Sequence, residues 1–446
     1  MRFGFVNEKN MALLTDLYEL TMAQVYLKEN RTKTAIFDFY IRPTKKRTFF
    51  LNAGLEQLLY YLENIKFTDE DIQYLKEKGF EDFFLDYLKN FKFTGNIYAV
   101  EEGEIVFPNE PIVQVEAPLP EAQIIETFLI NTLQHPILVA TKAIRCNIAG
   151  DFKKILVDFG LRRAHGTDAG MKAARASYIG GFAGTSNVLA GKEYNIPIVG
   201  TMAHSFILSY FDEEKAFEAF AKQYPENTIF LIDTFDTIKG LKNALKAVKK
   251  LNMKSFKGVR LDSGDLVKLS KEVRKILDEE GYKDAKIIAS GSIDEYKIKE
   301  HIEKNAPIDG YGVGTKLVVS SDLPYLDCAY KLVEYDGRPV MKFSPHKITL
   351  PSKKQVFRQF ENGKFKEDTV GLYDENLEGK PLLKKVMENG KVCINLPTLE
   401  KIKEKAINNV KKLPKQFLNI GNEIEYIPSI SENLKKVVEK LKEEIK

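Results

Sequence analysis

The sequence holds only three cysteines, Cys146, Cys328 and Cys393, far apart and with no C-x-x-C pair. That excludes a disulfide framework and the ligand spacing of a structural zinc site. No apolar run is long enough to span a bilayer. Arg2, Glu8 and Lys9 interrupt the stretch from Met1 to Asn10, where a signal peptide needs its hydrophobic core. Basic residues number 67 against 63 acidic, a formal charge of +4, with no basic tail. That balance argues against a nucleic-acid binder. Low-complexity segments and long linkers are also missing. What remains is an ordinary globular composition, 44% apolar and 29% charged over 446 residues. It fits a reduced, cytoplasmic enzyme or binding protein of two or three domains, or one large barrel with an attached module.

Changes of rhythm divide the chain into 1–123, 124–334 and 335–446. The first part is mixed α+β. Leu13, Leu17, Leu20 and Met22 fall near a 3.6 period and predict a helix over Met11 to Leu27, before a strand at Ala35 to Ile41. Amphipathic helices at Gly54 to Leu62 and Asp69 to Lys78 precede short strands between Thr94 and Glu116, broken by Gly95, Gly103, Pro108 and Pro111. The last part turns antiparallel, with a turn at Asp336 to Pro339 and hairpin pieces through Gly363 and Gly390. It ends in an amphipathic helix behind Ser431 as N-cap, with Leu434, Val437, Val438, Leu441 and Ile445 in one stripe.

In the middle part short β runs alternate with helices. The candidate strands are 155–158, 181–183, 197–200, 228–232, 258–261, 287–290 and 310–313. Helices at Thr237 to Lys250, Asp265 to Glu280 and Asp294 to Glu303 separate the later ones. Strands spaced about 25–30 residues apart across helices imply parallel pairing with right-handed crossovers. So many units in so short a stretch fit a (β/α) barrel better than an open sheet.

Functional groups of such a barrel collect where strands end. Those junctions read Asp158 to Gly166, Gly184-Thr185-Ser186-Asn187, Gly200-Thr201-Met202-Ala203-His204-Ser205, Asp233 to Asp236, Arg260 to Asp265, Ser290-Gly291-Ser292 and Gly312-Val313-Gly314-Thr315-Lys316. The cations Arg162, Arg163, Arg260 and Lys316 beside Gly/Ser/Thr loops suit a phosphorylated or carboxylated ligand. The last two junctions occupy the late-strand place where barrels hold a phosphate, although plain tight turns would use the same residues. Asp262 and Asp265 could orient a Mg2+ carried by a polyphosphate. Capping of the next helix explains Asp265 better, whereas Asp262 reads as a site residue.

Of the histidines, His301 reads as solvated among charges and His135, before Pro136, as a helix-end residue. His346 reads as structural. His204 differs: Gly200, Thr201 and Ala203 leave room beside its ring, so it could act as base, nucleophile or, least well, metal ligand.

At these residues the sequence resembles the nicotinate phosphoribosyltransferase family. The likeness runs from Thr15-Asp16-Leu17-Tyr18-Glu19-Leu20-Thr21-Met22 through Phe37 to Arg42 and the whole barrel to Gly314-Thr315. The resemblance implies an irregular α/β barrel beside an open-faced sandwich built from N-terminal and returning C-terminal segments. It implies a homodimer in which the N-terminal region of one subunit completes its neighbour's site. It implies nicotinate, phosphoribosyl pyrophosphate (PRPP) and ATP as substrates, with Mg2+, in NAD biosynthesis. By the same likeness His204 is phosphorylated by ATP, Tyr18, Thr201 and Arg260 contact nicotinate, and Thr315 contacts PRPP. Related nicotinamide enzymes place Phe159 and Arg162 around the pyridine and Asp16 and Asp262 near the ribosyl side, with Asp262 catalytic. Gly291 and Gly314 fall at the phosphate end. Nicotinamide users carry an aspartate where Ser186 stands, which favours the acid as substrate here.

Three alternatives compete. The ATP-independent quinolinate enzyme of the same architecture is shorter and more basic. A sugar-phosphate aldolase or isomerase needs a Schiff-base lysine or an acid/base carboxylate pair, and the candidate strands contain no lysine. A non-catalytic phosphate-binding scaffold leaves the full motif set unexplained.

Overall fold

The computed structural model describes residues 5–344 and 347–445; His346 lies outside them. The chain forms two compact units. One comprises Met1–Leu138, Tyr325–Phe417 and Glu423–Lys446, the other Val139–Pro324 and Leu418–Asn422.

The first unit is α+β. Its main sheet has seven antiparallel strands in the order Arg338–Pro339, Cys328–Tyr335, Thr34–Ile41, Val113–Pro118, Asn96–Val100, Leu383–Glu388 and Lys391–Val392. N-terminal and returning C-terminal segments thus interleave in one sheet, as the sandwich expectation requires. The strand Thr34–Ile41, third in that order, is buried from Ala35 to Phe39 and carries one charged residue, Asp38, which pairs with Lys354 at 2.7 Å. A second sheet contains the hairpin Lys354–Glu361 and Lys364–Leu372. Its turn, Asn362-Gly363, has φ of 51° and 73°, the left-handed pair that a two-residue hairpin demands.

Two expected helices differ from their prediction. The first begins at Leu17, not Met11; a 3-10 turn at Met11–Leu13 precedes it and Asp16 occupies the N-cap. The helix Glu126–Ala149 continues through Pro136, so His135 is interior rather than terminal. Burial of Leu133, Ile137, Val139 and Ala140 on both sides of the proline offsets the lost backbone bond, about 3 kcal/mol. Ser431 caps the last helix as expected, accepting from the N–H of Leu434 at 3.2 Å, and Leu434, Val438 and Leu441 are buried.

The second unit is built on a parallel sheet ordered Gly184–Thr185, Ile155–Asp158, Gly310–Val313, Lys286–Ala289, Gly258–Leu261 and Ile229–Leu231. The last strand in sequence therefore pairs with the first, Gly310 opposite Ile155, and the others follow cyclically. A single bridge joins Thr185 to Ile198. Among the described residues no ladder links 197–199 to Ile229–Leu231, so the ring of strands stays open at that seam. Phe230, Val259, Ile287, Tyr311 and Val313 are buried, the near-continuous apolar pattern of parallel strands covered on both faces. The covering helices show why. In Thr237–Lys250 the buried residues are Gly240, Leu241, Ala244, Leu245, Ala247 and Val248, with lysines on the other side.

One expected strand, 181–183, is displaced to Gly184–Thr185. Gly181 takes φ 93°, its N–H bonds to Tyr178 O and that of Phe182 bonds to Ser177 O. Gly181 and Phe182 thus close the preceding helix, and of the three residues Ala183 alone leads into the sheet, its N–H donating to Leu156 O at 2.7 Å.

Candidate active site

The turns after Ile155–Asp158, Gly184–Thr185, Gly258–Leu261, Lys286–Ala289 and Gly310–Val313, with residues 200–204, converge on a cavity of about 660 Å³. Phe159, Arg162, Ser186, Thr201, His204, Arg260, Asp262, Gly291, Gly314 and Thr315 all line it. Of the expected site residues only Asp16 and Tyr18 are missing; both belong to the other unit. A second cavity, about 380 Å³ and within that other unit, carries none of the expected residues.

His204 opens the short helix His204–Ser209, and its Nδ1 lies 3.1 Å from Thr234 Oγ1. Arg260 points from its strand into the cavity. Its Nη2 donates to Met202 O at 2.9 Å, its guanidinium sits 6.0 Å from the Phe159 ring centroid, and its buried Nε has no partner. Burial draws its pKa below the ordinary arginine value, Asp262 and Asp233 oppose this, and Arg162 adds to it. A half-buried guanidinium with an unused donor is ready for an anionic oxygen.

Asp262 is the one carboxylate among the lining residues. Ser290 Oγ donates to its Oδ1, and its backbone N–H donates to Asp233 Oδ2 at 2.8 Å. Ser263 Oγ donates to that same Asp233 oxygen at 2.7 Å. Gly291, at φ 88°, lets the next turn approach so closely that a Cβ there would fall 2.0 Å from Asp262 O. Arg163 Nη1 donates to Thr315 Oγ1 at 3.1 Å. Three arginines, Arg162, Arg163 and Arg260, thus face a single carboxylate, an electrostatic setting for a multiply anionic ligand.

Other expectations shift. Asp265 caps its helix, accepting from the Lys268 N–H at 3.0 Å. Lys316 is not a cavity cation: it pairs with Asp294 at 2.7 Å. His301 is buried and stacked on Tyr311 rather than solvated, and burial lowers its pKa. Asp233 and Thr234 were visible as a strand-end pair, yet nothing in their spacing indicated that they hold Asp262 and His204. Among the described residues no cluster of three or more His, Cys, Asp or Glu is arranged to hold a metal ion.

Comparison with known proteins identifies the family. Residues 13–134 match the nicotinate phosphoribosyltransferase N-terminal domain, 155–368 the nicotinate phosphoribosyltransferase family and 373–438 its C-terminal domain. The chain is 46% identical to nicotinate phosphoribosyltransferase pncB2 of Mycobacterium tuberculosis, across 92% of this chain and 89% of that one. It is 39% identical to the nicotinate phosphoribosyltransferase of Bacillus subtilis, across 97% and 95%. The crystal structure of human nicotinic acid phosphoribosyltransferase superposes with a TM-score of 0.85 at 27% identity, covering 96% of this chain and 99% of that one. The chain belongs to the nicotinate phosphoribosyltransferase family.

Proposed function

We propose that the cavity joins nicotinate to PRPP, releasing nicotinate mononucleotide and pyrophosphate, coupled to ATP hydrolysis through a phosphorylated His204, as a step of NAD biosynthesis. One observation carries this reading: a flat aromatic ring, a half-buried arginine with an unused donor, a carboxylate and a histidine meet in one cavity whose rim is rich in arginine.

Displacing pyrophosphate from C1 of PRPP develops positive charge on the ribosyl ring between two phosphate-bearing ends. Asp262, held from both sides by Ser290 and Asp233, is placed to stabilise that charge without reorganising. Arg260 takes the nicotinate carboxylate, and Phe159 forms one wall of the pyridine slot. Thr201 and Ser186 supply hydroxyls beside it, while Arg162, Gly291, Gly314 and Thr315 serve the ribosyl and phosphate groups. Tyr18 and Asp16 reach a site from the N-terminal region of the neighbouring subunit, making the working unit a homodimer.

A substrate-borne Mg2+ needs only one or two protein carboxylates, and Asp262 with Asp233, whose buried Oδ1 has no partner, suits that donor set. These two would hold the ion, which when bound supplies charge neutralisation at the phosphates. No helix among the described residues is long and apolar enough to cross a membrane, and the three cysteines are free, in keeping with a reducing cytoplasm.

The test mixes purified protein with radiolabelled nicotinate or nicotinamide, PRPP and Mg2+, with and without ATP. Labelled mononucleotide from nicotinate, increased by ATP, is expected. Product from nicotinamide alone, or none from either, would overturn the reading.

A further inference from the structure

Outside the cavity, the N-terminal unit holds a buried carboxyl with an unusual proton balance. Glu19 is fully buried where residues 15–19 meet residues 124–127. Its Oε1 accepts from the Thr127 N–H at 2.9 Å and lies 2.5 Å from Thr127 Oγ1, while Oε2 touches Thr15 Oγ1. Thr127 Oγ1 is also 2.9 Å from Asp16 Oδ2, and Thr15 Oγ1 is 3.2 Å from the carbonyl of Ile124. Each hydroxyl has one proton and two acceptors.

Counting protons separates two states. With Glu19 ionised, both hydroxyl protons go to its carboxylate, and Asp16 and the Ile124 carbonyl lose their donors. With Glu19 protonated on Oε2, that proton goes to Thr15 Oγ1 and Thr15 donates to Ile124. Thr127, still giving its N–H to Glu19 Oε1, is then free to turn its hydroxyl toward Asp16. We propose that Glu19 is a positioning residue: a proton gained there hands the Thr127 hydroxyl to Asp16 and locks Asp16, the N-cap of helix Leu17–Lys28, to the start of helix Glu126–Ala149.

The surroundings place this exchange in an accessible range. Facing Glu19 are the acids Asp16 and Glu126 and the phenols Tyr18, Tyr61 and Tyr330. The cation Lys331 pairs with Glu126, at 3.9 Å. Burial pushes the Glu19 carboxyl up to about 7; the bonds from Thr127 and Thr15 pull it down and Glu126 raises it further. Asp16 and Tyr18 have roles only under the functional reading above, so the link from Glu19 to catalysis rests on that reading.

The experiment compares wild type with Glu19→Gln and Thr127→Val. An amide at 19 donates to Thr15 and accepts from the Thr127 N–H, imitating the protonated state at every pH. The wild-type KM for nicotinate is expected to rise roughly tenfold across an inflection near pH 7, the order of one hydrogen bond to a charged group. Glu19→Gln should keep the low value throughout and Thr127→Val the high one, both without the inflection. An inflection that survives in Glu19→Gln would overturn the assignment.

Thermal unfolding gives a second readout that does not depend on catalysis. Between its ordinary carboxylate range and about 7, folded Glu19 keeps a proton that the unfolded chain has released. The stability it contributes is therefore complete below the former and lost as pH rises through the latter. Glu19→Gln escapes that loss, so its Tm advantage over wild type should widen from about pH 5 to about pH 8. A gap independent of pH would overturn the switch. Asp16→Asn separates the two ideas: unchanged KM values for nicotinate and PRPP would remove Asp16 from the site, and the Tm gap would still decide the fate of the switch.

Discussion

The ring of Phe159 lies directly over the backbone of Gly312. A Cβ added at 312 would fall 2.3 Å from Phe159 Cδ2 and 2.5 Å from Cε2, inside any real contact distance. Both residues sit where neighbouring parallel strands end, Val313 opposite Asp158 in the register, and Phe159 N–H donates to Val313 O at 2.9 Å. Absence of a side chain at 312 therefore lets the ring lie against the strand, and in the proposed function it sets the depth of the pyridine slot.

Gly312→Ala should push the ring into the slot and raise the KM for nicotinate by roughly tenfold or more, the cost of an overpacked contact of about 1–3 kcal/mol. The PRPP KM should change far less. Trimming the ring restores the space, so Phe159→Leu in the Gly312→Ala background should recover part of the loss. A double-mutant cycle in nicotinate kcat/KM measures this coupling; strict additivity of the two changes would disprove the packing argument.

Arg260 has a different job, and its geometry sets the scale. One donor is committed to Met202 O and the buried Nε is unused. Replacing it by Lys removes the planar fork while keeping the charge, and a charge-assisted bond is worth about 2 kcal/mol, roughly thirtyfold in KM. Steady-state kinetics of Arg260→Lys should show that loss for nicotinate, with binding of PRPP nearly unaffected. An equal loss for both substrates would mean that Arg260 serves the phosphates instead.

Much of this arrangement was legible in the chain. Strand ends rich in Gly, Ser and Thr, repeating at barrel spacing, located Phe159, His204, Arg260 and Thr315 because their placement is a property of local sequence and topology. Contacts between side chains were not legible. Thr234 meets His204 across 30 positions, Asp233 meets Asp262 across 29, and Lys316 is drawn off by Asp294 across 22. No periodicity encodes such pairings. Short strands failed for a related reason: Gly184–Thr185 has two residues, and the helix stop at Gly181 outweighed its apolar neighbours. The helix Leu399–Lys412 escaped notice because it buries only Ile402, Ala406 and Val410 among many charges.

Ser186 tests substrate choice. It lines the same cavity as Arg260, and its backbone N–H is fixed by Asp158 O at 2.8 Å, so a larger side chain here cannot simply swing its backbone away. An aspartate would set a negative charge against the nicotinate carboxylate, a juxtaposition costing several kcal/mol when desolvated. Ser186→Asp should therefore lower nicotinate kcat/KM by roughly tenfold or more and narrow the preference over nicotinamide. Unchanged kcat/KM for nicotinate would refute the argument.

In the proposed function His204 carries the energetic coupling, and it allows the sharpest separation of roles. The imidazole opens a helix across from Thr234, in a cavity that it shares with Phe159, Arg260, Asp262 and Thr315. If it accepts the γ-phosphoryl of ATP, a new N–P bond forms as the bond to the β-phosphate oxygen breaks and ADP leaves. Removing the ring then removes only this step. His204→Ala should lose acid-labile protein phosphate and PRPP-dependent ATP hydrolysis, measured with γ-labelled ATP, while slow ATP-independent formation of mononucleotide survives. Acid-labile phosphate on the variant would assign the step to another residue. Loss of the ATP-independent reaction as well, with the fold intact by circular dichroism, would give the ring a part in glycosyl transfer itself.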